Sequence, residues 1–454
     1  MTVIVPHQQA TATSEGHIAV GIVADDLTGG GDSAVQFARD GWRTRLTLTA
    51  PDNETLSHAS VLAVVSDARA QPDSLARTST AQAVAALGDA GVNRLLLKID
   101  STMRGSAHAQ ILGALEAWRR WHPSAFAVVC PAYPAMGRTV QSGRVLVNGQ
   151  GVETTAVGID PVAPITTNLL AELVPGSRHV TLRNGSTAEH VEQLRSAAQN
   201  STRVVTVDAS TDADLLALAQ AVAQLGAEAV PAGSAGLAVA LSHVWGSDQD
   251  ISTELNLARA ERVIVVVSSL HDMSRSQYDH LVDGTLSTHV RTFAPSLDML
   301  MEPGAIGGWI AEQIAAQPDL PAVVIVATPS ERPPASAAHT GPQTETAAET
   351  IADGLATITA ALFAHRSVGA LVLMGGEGAR AVLNRFGASA ILVTDAIREG
   401  IPVGLIEGGS ADGLTVVTKA GGFGVTSSIS DILPELLADQ ALRRSANPNT
   451  GVDL

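Results

Sequence analysis

The residues best suited to chemistry lie in two short turns. In ADDLTGGGDSA, from Ala24 to Ala34, the adjacent carboxylates Asp25 and Asp26 follow the apolar run Ile18–Val23 and precede three glycines. Paired acids at the carboxyl end of a strand stand where open α/β sheets place ligands, and glycines let backbone approach a small polar molecule. The structural alternative has one aspartate capping a helix that begins near Asp32, with the glycines forming a turn. In KIDSTMRGS, from Lys98 to Ser106, the residues Lys98, Asp100, Ser101 and Arg104 share one strand-to-helix turn. Such a turn offers free N–H groups and a positive dipole end, and the Arg104 fork matches a carboxylate, so it reads as an anion site. The alternative pairs Lys98 with Asp100 as a structural ion pair. Arg69, in VVSDARAQP, either joins a carboxylate clamp or stands in solvent. Arg138, in the proline-stiffened CPAYPAMGRTVQSGRVLVNG, is placed to reach substrate from a loop.

Three Gly-rich segments form a second group: PAGSAGLAVAL around Ser234, LMGGEGARAVL around Gly375, and TKAGGFG around Gly421 with Lys419 beside it. Each follows or ends an apolar run, and exposed N–H groups at helix starts cradle phosphates, so together they point to a nucleotide site. A GGEGA turn also arises for packing alone. Neither GxxxxGK[ST] nor GxGxxG with an acidic residue on the next strand occurs. No HExxH and no GxSxG occurs either, which argues against a dedicated transition-metal site and a serine hydrolase.

Strands must position these turns. Runs rich in Val, Ile and Leu at Ile18–Ala24, Val61–Val65, Arg94–Lys98, Ala125–Cys130 and Arg203–Val207 alternate with Ala-rich stretches of helical spacing. The rhythm resumes at Val263–Val267, His289–Phe293, Ala322–Ala327, Ala370–Met374, Ile391–Thr394 and Leu414–Thr418. Continuous apolar strands suit a sheet covered on both faces. The expected fold class is α/β, with two domains, 17–245 and 260–445, each a largely parallel helix-flanked sheet and the active site in the cleft between them. The polar stretch Gly246–Arg262 is the expected connection, Pro329–Thr350 a mobile surface loop, and ANPNTGVDL a frayed tail.

The chain has 454 residues, enough for two cores, and a net charge of −17 with no long basic run, which argues against nucleic acid or anionic lipid as partner. An anionic substrate must then be captured by individual Arg and Lys residues. Cys130 is the sole cysteine, so no intrachain disulfide forms, and its apolar setting suggests packing. The first residues lack a basic n-region and a long apolar core, and no later stretch reaches the length of about 20 apolar residues that spans a bilayer. A cytoplasmic protein without membrane partner is expected. A homo-oligomer is compatible with the sequence.

In order and spacing, ADDLTGGGD, KIDSTMRG, PAYPAMGR, AGSAGLA, MGGEGA and TKAGGFG resemble the four-carbon acid sugar kinase family from about Ile18 to Phe423. The resemblance implies an N-terminal sugar-acid-binding domain, a C-terminal nucleotide-binding domain, and phosphorylation of threonate, erythronate or 3-oxo-tetronate by ATP. It implies that Asp25, Asp26, Arg69, Asp100 and Arg104 lie on the sugar-acid side, and that Gly375, Gly376, Glu377, Gly378, Gly421 and Ser269 meet the nucleotide. The family pattern near Ser269 is closer to GSxSxxT, whereas this chain reads Ser268-Ser269-Leu270-His271-Asp272-Met273-Ser274, which opens a role for His271 toward phosphate or metal. The family's Ser-Arg is Ala68-Arg69 here, and its GGxT turn ends in Gly378, without a hydroxyl. The expected mechanism has Mg²⁺ bridging the β- and γ-phosphates, with no residue assigned to hold it, and Asp26 or Asp100 as the proton acceptor. An NAD-dependent hydroxy-acid oxidoreductase and a non-enzymatic metabolite-binding protein are the alternatives.

Overall fold

The computed structural model describes residues 19–438 other than 49–58, 161–162, 183, 200–202, 247–258, 285, 287–288, 303, 318, 332–346 and 366. Most of the expected connection at 246–262, most of the polar stretch at 329–350, and the whole tail from 446 lie outside the described residues.

Eight strands of the first half run parallel in one sheet: β1 (Val20–Ala24), β2 (Thr44–Thr47), β3 (Val61–Val65), β4 (Leu95–Lys98), β5 (Phe126–Cys130), β9 (Arg178–Val180), β10 (Val204–Val207) and β11 (Ala229–Gly233). Their spatial order is β2-β3-β1-β4-β11-β5-β10-β9. Between β5 and β9 the segment expected as a stiff loop forms a separate antiparallel sheet of β6 (Arg138–Gln141), β7 (Arg144–Val147) and β8 (Gln150–Gly151). Its turns sit at Ser142 and Asn148, both with positive φ, each followed by a glycine.

In the second half, β12 (Val263–Val267), β13 (Val290–Phe293), β14 (Val323–Ala327), β15 (Ala370–Met374) and β18 (Thr415–Lys419) run parallel in the order β13-β14-β12-β15-β18. Val263, Val265 and Val267 enter one apolar cluster while Ile264 and Val266 enter the other, and β14 and β15 alternate in the same way. Both faces are therefore covered, which is why these strands read as unbroken apolar runs. Each such buried side chain contributes about 1.5–3 kcal/mol. Cys130, at the end of β5, is fully buried, and burial lifts its thiol to about 12, in keeping with packing rather than reactivity.

The two expected helix-flanked parallel sheets are present and are joined edge to edge into one 15-stranded sheet. The antiparallel hairpin of β16 (Ala390–Arg398) and β17 (Ile401–Glu407) joins β18 on one side, and β16 pairs antiparallel with β2 on the other, Thr44 opposite Val393 and Thr47 opposite Ala390. Arg45 fastens the seam with a two-pronged contact to Glu407, both bonds 2.7 Å.

Among the described residues, the helix Ala347–His365 contains one 18-residue window long and apolar enough to cross a membrane, unlike the expectation that no stretch would qualify. It packs against the helices Ala305–Ala316 and Gly376–Phe386 and against β12 and β14.

Candidate active site

Because β1 lies between β3 and β4, the carboxyl ends of the three strands gather Asp25 and Asp26, Arg69, and Lys98 into one cradle. Arg69 donates from Nε and Nη2 to Asp25, each at 2.8 Å, and from Nη1 and Nη2 to Asp26 at 2.6 and 3.0 Å. Both edges of the guanidinium are thus committed to the acid pair, so Arg69 fastens the cradle and does not present a free fork to a substrate carboxylate. Burial works against its charge, but the two aspartates outweigh it and hold Arg69 cationic. Asp26 also caps the helix Leu27–Arg39: Oδ1 accepts from the Gly29 N–H at 2.8 Å and Oδ2 from the Thr28 hydroxyl at 3.0 Å. The helix therefore starts at Leu27 rather than near Asp32, which lies inside it. Burial alone would raise the Asp26 carboxyl, yet Arg69, Lys98 and the Gly29 N–H bring it below the usual range. A Cβ on Gly29 would stand 2.4 Å from Asp26 Oδ1 and 2.6 Å from Lys98 Nζ, so this position has room only for glycine.

Lys98 is 5% exposed and its charge acts on Asp25, Asp26 and Asp32. The ion pair with Asp100 weighed from the sequence does not form. Asp100 instead pairs with Arg104, which donates from Nη2 to Oδ1 at 2.9 Å and from Nε to Oδ2 at 3.1 Å, and Oδ2 also accepts from the Thr102 hydroxyl. Burial would raise Asp100, but Arg104 and Arg69 hold it well below the usual carboxylate range. The outer Nη1 of Arg104 donates to Asp160 Oδ2 at 3.1 Å. Arg138 is partly buried, donates to the Met136 carbonyl, and lies within the field of Asp100 and Arg104. Asp25, Asp26, Lys98, Asp100, Arg104 and Arg138 are thereby brought together.

In the second half, β15 lies between β12 and β18, and their carboxyl ends carry the segments expected to meet the nucleotide. Gly375 has φ +115° and a Cβ there would lie 2.5 Å from Ser268 Oγ, so glycine is required. The helix Gly376–Phe386 follows, and Ala379 makes its first backward bond, to the Gly375 carbonyl at 3.0 Å. The N–H groups of Gly376, Glu377 and Gly378 are consequently first-turn donors at a positive dipole end. Gly421 comes up against Ser269, whose Oγ would be 2.5 Å from a Cβ there. In the altered turn, His271 caps the helix Asp272–Asp283, its Nδ1 accepting from the Met273 N–H at 3.1 Å, the position a Ser or Thr commonly fills. Burial pulls His271 below its ordinary value, and the charges of Arg104 and Asp160 reach it from the other domain.

Two expected nucleotide contacts are elsewhere. Lys419 is fully buried and donates to the carbonyls of Ala420 and Gly421 at 2.8 and 3.1 Å, bracing the glycine loop from behind, and burial draws its ammonium down to about 8. Ser234 belongs to the first half. Its buried hydroxyl donates to the Ala132 carbonyl at 2.8 Å and accepts from the Gly236 N–H at 3.2 Å, so it caps the helix Ala235–Trp245 beneath Tyr133 and has no free valence for phosphate.

The two groups face each other. A Cβ on Gly376 would lie 3.9 Å from Thr28 Oγ1 and 4.0 Å from Asp26 Oδ2, so the N-terminal end of its helix opens directly on the acid pair. One turn further on, Arg380 Nε reaches Asp67 Oδ2 at 2.9 Å. A third bridge runs from the Tyr133 hydroxyl to Glu399 Oε1, 2.6 Å, where the β16–β17 turn meets the PAYP segment. Thr28, Asp160, Tyr133 and Glu399 were not singled out from sequence. Thr28 and Tyr133 lie inside the ADDLTGGGD and PAYPAMGR motifs, whereas no local pattern marks Asp160 or Glu399.

Two family models match the chain: one described as a sugar-binding N-terminal domain over residues 20–241, the other as a nucleotide-binding C-terminal domain over residues 264–429. A D-threonate kinase of Bordetella bronchiseptica is 38% identical, the match covering 93% of this chain and 97% of the relative. A D-erythronate kinase of Heliobacterium modesticaldum is 28% identical, with 88% and 93% covered. A Salmonella typhimurium LT2 protein of solved structure shares the fold, with a TM-score of 0.71 at 20% identity over 90% of this chain and 97% of that one.

Proposed function

We propose that this chain, which belongs to the four-carbon acid sugar kinase family, transfers the γ-phosphoryl group of ATP to a hydroxyl of D-threonate. A kinase acting on a four-carbon sugar acid is the activity of its relatives along their whole length, and D-threonate is the substrate named for the relative at 38% identity. Residues 17–245 hold the acid and residues 260–445 the nucleotide, a division supported by the family matches at 20–241 and 264–429.

The observation that carries this is the approach of Gly376 to Asp26 across the two domains, 4.0 Å from a Cβ position to a carboxylate oxygen. Phosphoryl transfer asks mainly for positioning and charge stabilisation, and a helix start with free N–H groups beside the acid pair supports that reading. The N–H groups of Gly376, Glu377 and Gly378 hold the phosphates, with Ser269 and Gly421 shaping the neighbouring wall. Lys98, Arg104 and Arg138 supply the positive charge that draws the acid's carboxylate into an otherwise acidic protein. Asp25, Asp26 and Arg69 stiffen the floor, and Asp100 orients Arg104.

Among the described residues no cluster of three metal-ligating side chains occurs. This fits Mg²⁺, which binds through one or two carboxylates plus substrate phosphates rather than a protein cage. The Asp26 oxygens are taken by donors from Arg69, Thr28 and Gly29, so the ion would be held chiefly through the substrate phosphates, whose charge it would neutralise.

Incubation with ATP, Mg²⁺ and a panel of D-threonate, L-threonate, D-erythronate and 3-oxo-tetronate, followed by ADP release, tests the proposal. D-threonate should turn over fastest. ADP formation only with another acid removes D-threonate, and none with any acid removes the kinase assignment.

A further inference from the structure

Phosphoryl transfer to a hydroxyl releases a proton, and Asp26 and Asp100 are poorly suited to accept it. Guanidinium groups and hydrogen-bond donors hold both below the usual carboxylate range, so their lone pairs are occupied and weakly basic. Asp25 is likewise taken by Arg69, whereas a fourth carboxylate, on the helix that follows, is free of such bonds. Asp32 follows Thr28 by one turn on the helix Leu27–Arg39 and therefore lies on the face that carries the Thr28 hydroxyl toward Gly376. It is 6% exposed, its Oδ1 is buried without a partner, and among the described residues none donates to either oxygen.

The groups around Asp32 come from every side. Lys98 from β4, Asp26 from the β1 turn and Glu399 from the β16–β17 turn act on it electrostatically. Tyr133, hydrogen-bonded to Glu399 at 2.6 Å and also within reach of the Arg39 charge, lies in the field of Asp32. A buried polar group left without a partner costs about 1–3 kcal/mol. A neutral carboxyl serving packing alone would offset that cost by donating to a neighbour, and among the described residues none accepts from it.

We infer that Asp32 is a catalytic residue of the kinase, the acceptor of the proton from the sugar-acid hydroxyl. The inference rests on the kinase assignment above and deepens it. As a lone pair of the hydroxyl oxygen forms the new bond to the γ-phosphorus, the bond from that phosphorus to the bridging oxygen breaks and its electron pair leaves with ADP. The hydroxyl proton passes to Asp32, making a neutral carboxyl, and returns to water when the products depart. Burial, reinforced by Glu399 and Asp26 and opposed by Lys98, lifts the Asp32 carboxyl to about 7, a value matched to taking a proton at neutral pH.

The test compares wild type, Asp32→Asn and Asp32→Glu with ATP, Mg²⁺ and D-threonate across pH 5.5–9. The Asn variant should lose about 100-fold or more in kcat while both KM values stay within about threefold. It should also lose the rise of kcat with pH near 7 that wild type shows, whereas the Glu variant, which restores a carboxylate, should keep turnover above Asn together with a rise. An Asn variant that retains kcat within about threefold, or that keeps the wild-type pH profile, overturns the inference. If Asn does not fold, the Glu variant decides alone: a folded, active Glu enzyme without the rise overturns it. Wild-type turnover with an unimpaired Asn variant refutes Asp32 and leaves the kinase standing. No wild-type turnover of any acid refutes both.

Discussion

Replacing Gly376 with alanine separates phosphate binding from folding. Gly376 does not have positive φ, and the nearest atoms to an added Cβ, Thr28 Oγ1 and Asp26 Oδ2, lie at 3.9 and 4.0 Å, ordinary contact distances. The methyl group therefore fits the folded protein, and exchanging glycine for alanine at a helical position stabilises by up to about 1 kcal/mol. If the first-turn N–H groups bind phosphate as proposed, the same methyl group would stand in the path of an approaching phosphate oxygen. Losing one hydrogen bond to a charged group costs about 1.5–3 kcal/mol, equivalent to about 10- to 100-fold. Gly376→Ala should thus raise KM for ATP by that factor, leave KM for D-threonate within about threefold, and keep or raise Tm. Steady-state kinetics with each substrate varied in turn, together with a thermal melt, measure both. An unchanged KM for ATP in a variant of normal Tm would refute the assignment of this helix start to phosphate, and a fall in Tm of several degrees would refute the steric reasoning.

Two further outcomes follow from the geometry. Asp160 holds the outer Nη1 of Arg104 at 3.1 Å, where an incoming carboxylate would bind, so Asp160→Asn should lower KM for the sugar acid severalfold, about 1 kcal/mol or less, at unchanged kcat; a raised KM would show that Asp160 positions Arg104 instead. The carboxyl of Asp32 moves from its ordinary 3.8 to about 7 on folding, so between those pH values the folded chain holds a proton that the unfolded chain has released, and stability declines as pH rises through the window. Above about 7 the deficit is complete, with a ceiling of about 4 kcal/mol, so Asp32→Asn should raise Tm at pH 8 and leave it nearly unchanged at pH 4, and an equal shift at both would count against a buried ionisable Asp32.

The local parts of the site were legible because each is written in one continuous stretch. Asp25 and Asp26 follow an apolar strand, as do Lys98 and the Asp100–Arg104 pair, and a strand end in an open sheet is where ligands gather. What sequence could not supply was partnership across the chain. Nothing near Arg69 tells that its guanidinium is taken by the aspartates after β1. Nothing near Ser234 tells that its helix starts under Tyr133 rather than near the nucleotide segments, since a Gly-rich helix start looks the same in either domain. Lys419 reads as a phosphate ligand until its ammonium is found directed into the loop behind. Asp32 was read as a cap because three glycines blur where a helix begins, and the actual cap, Asp26, is visible only from its bond to Gly29. The seam between β2 and β16 was hidden because TRLT is short, mostly polar and without a local partner.

That seam bears on how the protein is made. Arg45 and Glu407 are 362 positions apart, so on the ribosome β2 emerges long before its antiparallel neighbour has been synthesised. Until then one margin of the nascent parallel sheet exposes unpaired amides and carbonyls, an invitation to adhesive contacts with other unfinished chains. Contacts between residues so distant in the chain form slowly, so the two domains can be stitched together only after the β16–β17 hairpin has been made, late in synthesis.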